Sequence, residues 1–254
     1  MYQFTAAEKK TLQTIRKEPY REKTLELIEE RVRKSKLMHE DAYKSVFDEL
    51  HDVLRESLPF VREHLAEKKK ADPDYDEQQA IKSIAGQSFS NVVKFVFLKN
   101  KEIGNIRSDI FITSQPAQVP SFKETILINV DGETQKPDCD LVIYSLNKDK
   151  TLKKCMILSL KTSLRERAAQ TYKWKLLMEI ATTDNAIRTK YNISYDPKVL
   201  PKVCFATVNF YDEINQPQQR GMFKFFDQSF IAKDVDADFI TRLSSLPDYV
   251  NKTL

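Results

Sequence analysis

Glycine is scarce in this sequence: Gly86, Gly104, Gly132 and Gly221 are the only four, and they lie too far apart to form a G-x-G-x-x-G fingerprint or a Walker A loop. Nucleotide cofactors held by those devices are excluded. Cysteine is equally sparse. Cys139, Cys155 and Cys204 are odd in number and widely spaced, which supports neither a disulfide framework nor a CxxC zinc site, so buried free thiols are expected. The three histidines, His39, His51 and His64, all fall in a charged N-terminal region and read as solvated surface residues. No run approaches the roughly 20 consecutive apolar residues of a membrane span, and the opening MYQFTAAEKK lacks the regions of a signal peptide. A cytoplasmic protein with no membrane partner is expected. Charge of one sign is also lacking: the net +4 permits nucleic-acid binding without arguing for it.

What is present suffices for a core, since 41% of the 254 residues are hydrophobic and fifteen are Phe. From residue 5 to about 70 the chain is dense in Glu, Lys and Arg, with apolar residues at helical intervals, as in Leu25, Ile28 and Val32. This predicts an N-terminal helical layer of three or four helices. The charge run and Pro73 in EKKKADPDYD make 67–76 the best linker, dividing an N-terminal domain (1–72) from a second domain (73–254). A more apolar helix is predicted over 77–100. The period then changes, and strands are predicted at 109–114, 124–130, 140–146, 154–161, 202–211 and 221–227, with helices over 164–188 and 236–248. The order implies an α/β fold: a mixed five- to six-stranded sheet flanked by helices.

Polar residues stand at informative places on two of these strands. Asp138 and Asp140, in KPDCDLVIY, are two apart, so both carboxylates point to one face. Ser159 and Lys161 are likewise two apart, at the end of the next strand. The short polar connection NKDK suits an antiparallel hairpin, which brings Asp138 beside Lys161. A carboxylate beside an ammonium suits metal-assisted hydrolysis of phosphodiesters. The carboxylate holds Mg²⁺, and the lysine orients or deprotonates the attacking water.

Pro137-Asp138, twenty intervening residues and then Ser159-Leu160-Lys161 resemble the PD-(D/E)xK nuclease motif with serine in the acidic position. The type II restriction endonucleases that cut at CCGG-containing sites make this exchange. They restore the metal ligand with a glutamate on the following helix, and they carry an Arg-(Asp/Glu)-Arg reader shortly after the lysine. Arg165-Glu166-Arg167 matches that reader. Arginine donates two hydrogen bonds to guanine O6 and N7, and glutamate accepts from cytosine N4, so the cluster is chemically suited to G·C pairs.

The resemblance covers mainly 136–181, and the N-terminal helical layer brings the chain nearest the BsaWI-like members. It implies a restriction-endonuclease-like fold, a Mg²⁺ cofactor, double-stranded DNA as substrate, and a homodimer or higher homo-oligomer matched to a palindrome. Asp138 is the favoured metal ligand, with Asp140 either a second ligand or a strand-edge charge. The replacement acid should be Glu179, which shares a helix face with Arg165 but lies one turn beyond the family's usual position, here Lys173, Trp174 and Lys175. Glu179 is therefore either a ligand or an ordinary surface glutamate. The upstream helix offers Gln87, Ser90 and Asn91 where many such nucleases have a glutamate. The polar stretch 212–221 reads either as a loop touching flanking bases or as plain surface. The rival readings are a structure-specific or non-specific nuclease with the same catalytic residues, such as a resolvase or repair enzyme, and a non-catalytic DNA-binding protein.

Overall fold

A computed structural model describes residues 2–72, 74–164 and 166–254, and the side chains of all of these but 166–170. The chain divides into two compact units: residues 1–108 with 231–236 and 242–251, and residues 109–230 with 237–241 and 252–254.

The first unit is helical. It comprises α1 (Ala6–Ile15), α2 (Pro19–Lys34), α3 (His39–Ser45), α4 (Leu50–Glu56), α5 (Leu58–Ala71) and α6 (Glu77–Ile103). The first half of the stretch read as a linker is the end of α5, whose helix runs on to Ala71. Helix α6 is the centre of the unit. Phe89, Val92, Val93, Val96 and Phe97 recur at helical spacing and are buried, and each such phenylalanine contributes roughly 1.5–3 kcal/mol over its exposed state. Gly104 stops α6 at φ 97°, a left-handed conformation that costs a residue without a Cβ little. Thr5 and Glu8 form a reciprocal capping box at the start of α1, and Glu8 also takes the ammonium of the fully buried Lys101 at 2.7 Å. His51 is buried, not solvated as its charged surroundings suggested, because it sits among Leu50, Val53 and Leu54 on the packed side of α4.

The second unit carries the sheets. In chain order it holds β1 (Ile110–Thr113), α7 (Phe122–Ile126), β2 (Ile128–Val130), β3 (Glu133–Gln135), β4 (Leu141–Leu146) and β5 (Leu152–Lys161). There follow α8 (Glu166–Thr182), α9 (Ala186–Lys190), β6 (Ile193–Ser194), β7 (Lys202–Thr207), α10 (Pro217–Phe223), β8 (Gln228–Ile231) and β9 (Thr241–Arg242), while the closing helix α11 (Leu246–Thr253) falls mainly in the first unit. The main sheet is mixed, six-stranded and ordered β1-β4-β5-β7-β8-β9, as expected of a restriction-endonuclease-like α/β fold. A separate sheet, β3-β2-β6, was not anticipated. The expected hairpin is present: β4 and β5 run antiparallel with Leu141 opposite Leu158. Strand β5 pairs on its other side with β7 in parallel, Lys161 opposite Thr207. A parallel neighbour requires a long crossover, and α8 and α9 supply it. With partners on both edges, β5 is buried from Cys155 through Leu160.

Three predicted elements differ. Residues 122–126 are helical because Phe122, Thr125 and Ile126 are buried at a helical, not alternating, interval. The run 221–227 ends α10, which Pro217 starts. Phe226 stacks on Phe205 and Phe223 meets the same ring at a tilt, and the strand begins only at Gln228. The last helix starts at Leu246 and not near 236, and it buries Leu246 and Val250.

Candidate active site

The site gathers where β5 ends and its crossover begins. Lys161 closes β5, and Asp140 stands just before β4, one position beyond the last Leu141–Leu158 pair. The β4–β5 ladder stops there. The backbone N–H of Leu160 donates to Asp140 Oδ2 at 2.8 Å instead of to another strand. Lys161 Nζ reaches the same oxygen at 2.9 Å and Ser159 Oγ at 3.2 Å. Asp138 is exposed and makes no ion pair with Lys161, although both line one small cleft. The alternation in KPDCDLVIY thus places both carboxylates on the lysine's side, and the point where the ladder ends decides that Asp140 receives the ammonium.

The cleft, about 20 Å³ and so large enough for one water, has Asp138, Lys161, Thr171 and Trp174 around Ile157 and Val203. Ser159, in the motif's acidic position, is buried, and its hydroxyl bridges Asp140 and Thr171 Oγ1, which lies 3.1 Å away. Thr171 was missed in the sequence. Its signal is only that it follows Lys161 by ten residues, which the first turns of α8 bring back over the strand end.

Glu179 is not brought to the cleft. It is exposed and pairs with Lys175 at 2.7 Å, and it lies eight residues, about 12 Å of helix rise, beyond Thr171. Lys175 also holds Asp227 at 2.9 Å. Burial alone would raise the Asp227 carboxyl, but Lys175, the Val203 N–H and Lys202 outweigh it and hold Asp227 below the ordinary carboxylate range. Arg165 lies outside the described residues, as do the side chains of Glu166 and Arg167.

Asp138 and Asp140 are the residues able to hold a metal ion. Cys139 between them is no competitor, because it packs against the apolar cluster of Val142, Cys155 and Ile157; burial, then Asp140 and Asp138, push its thiol up to about 12. Two carboxylates offering hard oxygens fit Mg²⁺, which binds through one or two such groups and keeps water and substrate oxygens in its other positions. Among the described residues no group of three His, Cys, Asp or Glu side chains forms a fuller cage. The expected thiol chemistry also holds at Cys155, which burial pushes up to about 12.

A second residue missed in the sequence is Glu213, which the stretch 212–221 hid among polar neighbours. It is buried, and its Oε2 accepts the Leu164 N–H at 2.8 Å and the Ser163 hydroxyl at 3.3 Å. It therefore holds the loop between Lys161 and α8. The stretch itself is not an open loop, since Glu213–Asn215 form a short 3-10 helix and Pro217 begins α10.

Among the described residues no helix is long and apolar enough to cross a membrane. No curated protein matches the sequence. The model of one family does: BsaWI restriction endonuclease type 2, over residues 118–249, just over half of the chain. That span holds β4, β5, the cleft and the crossover helix, so the match and the geometry concern the same part of the molecule. The chain belongs to the BsaWI family of type II restriction endonucleases.

Proposed function

We propose that the protein is a Mg²⁺-dependent endonuclease with a PD-(D/E)xK active site, cleaving double-stranded DNA at a palindromic site that contains CCGG. The observation that carries this reading is the convergence of Lys161, Ser159 and the Leu160 N–H on Asp140, beside Asp138, in a chain of a restriction-endonuclease family. A bound Mg²⁺ would polarise the scissile phosphate and lower the pKa of a water. Asp138 and Asp140 would hold it. Lys161 orients the attacking water and offsets negative charge as the phosphorus gains a fifth oxygen. Ser159 contributes by fixing Asp140 from the buried side. Glu179 belongs to the proposal as a third acid, on condition that it leaves Lys175.

Arg165, Glu166 and Arg167 read the G·C pairs from the start of α8, a few residues from Lys161, so recognition and cleavage share one short segment. A palindrome presents two equivalent half-sites, which two copies of the chain in a homodimer meet symmetrically. The functional division proposed with this reading is residues 1–72 as a helical domain and 73–254 carrying catalysis and recognition, although α6 packs with the helical unit.

Incubating the purified protein with plasmid DNA and Mg²⁺ and sequencing the fragment ends tests all of this at once. Ends at CCGG-containing palindromes are expected. Random ends would leave a nuclease without the proposed reader, and intact plasmid would remove the catalytic assignment.

A further inference from the structure

We infer that Glu213 is a positioning residue that sets the start of α8 for base readout. This rests on the reading of Arg165-Glu166-Arg167 as the reader. Glu213 follows Lys161 by more than fifty residues, yet its carboxylate is buried against the loop that leads into the reader. One oxygen takes both the Leu164 N–H and the Ser163 hydroxyl. The Phe210 N–H donates to Thr162 O at 3.1 Å, so three consecutive residues, 162–164, are tied to the segment after β7.

That segment is itself braced by hydrogen bonds. Thr207 Oγ1 accepts the Asn209 N–H at 2.9 Å, and Asn209 Oδ1 accepts the N–H groups of Glu213 at 2.9 Å and Ile214 at 3.3 Å. Asn209 holds this posture at φ 50°, a left-handed conformation that asparagine tolerates better than most residues. Thr207 is the residue opposite Lys161 in the β5–β7 ladder. A continuous path of hydrogen bonds therefore runs from the partner of the lysine through Asn209 and Glu213 to Leu164, the residue immediately before Arg165. A buried carboxylate is a strong acceptor for such a purpose, because bonds to a charged group are shorter and stronger than neutral ones. Reading base edges requires side chains held close to the productive geometry, and a loop with free backbone donors would not hold them.

The test compares wild type with Glu213→Ala, Glu213→Gln and Ser163→Ala in the full-length protein. Gel-shift titrations without Mg²⁺ measure binding to a CCGG duplex and to a random duplex at one salt concentration. Hydrogen exchange follows the amides of 162–164. Glu213→Ala should weaken the CCGG duplex about tenfold more than the random one, the scale of a lost bond to a charged acceptor. It should also speed exchange at Leu164, whose N–H loses its acceptor. Glu213→Gln, which keeps an acceptor oxygen, should recover most of the discrimination. Ser163→Ala, which leaves the buried carboxylate in place, should lose a few-fold in the same direction and gives the answer should the alanine variant at 213 not fold.

Equal losses on both duplexes, or unchanged discrimination, would overturn the inference. Failure of the underlying reading looks different. Wild type would then bind CCGG and random duplexes alike, and Glu213 would be judged on Leu164 exchange, unchanged exchange in Glu213→Ala overturning its anchoring role.

Discussion

Three donors meet on a single oxygen of Asp140, and this concentration decides what each substitution at the site does. Lys161→Ala removes the group proposed to act on water while leaving the carboxylates in place, so cleavage should be lost and specific binding largely kept. Asp140→Ala should also abolish cleavage, and it frees Lys161 and leaves the Leu160 N–H without its acceptor, so a loss of stability should accompany it. Asp138 has no such ties, and Asp138→Ala should abolish cleavage with the melting temperature unchanged. Plasmid cleavage alongside thermal unfolding separates the two aspartates, and near wild-type cutting by either variant removes that residue from the active site. Glu179→Ala should slow cleavage at least about tenfold if the glutamate leaves Lys175 to serve as a ligand. An unchanged rate would make it a surface partner of Lys175 only. If Arg165 and Arg167 read guanines as proposed, Arg165→Ala and Arg167→Ala would each remove a bidentate contact per half-site, and affinity for a CCGG duplex should fall by about two to four orders of magnitude. Binding to a random duplex, which depends on phosphates, should change much less. Equal losses on both would make the cluster a backbone clamp.

At the scale of elements, the pairing of α1 with α6 turns on one ion pair. Lys101 and Glu8 are both buried, and the Tyr2 hydroxyl donates to the same carboxylate at 3.0 Å while the Lys101 ammonium lies 4.3 Å from the Tyr2 ring centre. Lys101→Met leaves Glu8 charged and uncompensated in the interior, which should cost about 3–5 kcal/mol in thermal or denaturant unfolding. Adding Glu8→Leu should recover much of that loss, because a matched apolar pair leaves no stranded charge. A single variant as stable as wild type would show that the pair contributes nothing there. Strand β5 has the opposite logic, holding its place through apolar burial and two ladders rather than through charge. Its ends, where the ladders stop, are where polar groups collect.

For the whole molecule, pH dependence follows from the carboxylates that folding perturbs. Burial alone would raise Glu8, but Lys101 and the Thr5 backbone and hydroxyl outweigh it and bring the carboxyl below its ordinary 4.5. Asp227 is likewise held below its ordinary 3.8. A depressed carboxylate contributes stability that is complete above its unfolded pKa and is lost as pH falls through the folded value. The melting temperature should therefore fall as pH drops below about 4.5. Both Glu8→Gln and Asp227→Asn should flatten that fall, and an unaltered acid limb in both variants would show that other groups carry it. A dimer should appear by sedimentation or light scattering in the presence of the specific duplex, with both strands cut. A persistent monomer that nicks one strand would exclude the palindromic reading.

Short-range pattern was enough for much of this protein. The alternation in KPDCDLVIY and KCMILSLK, joined by NKDK, predicted the β4–β5 hairpin, because a two-residue period and a turn are local properties. The same alternation put Asp138 and Asp140 on one face and selected Lys161, and the mixed sheet with flanking helices followed from the order of elements. Three things lay beyond it. Which aspartate takes the lysine depends on where the ladder ends, which no spacing records. Thr171 meets Ser159 only because of the rotation and height at which α8 crosses the strand end. Glu213 reaches Leu164 only because β7 lies parallel to β5, so that the segment after one strand meets the loop after the other. Sequence carries period and order along the chain, whereas these contacts arise from the offset and rotation of elements far apart in it, which packing sets.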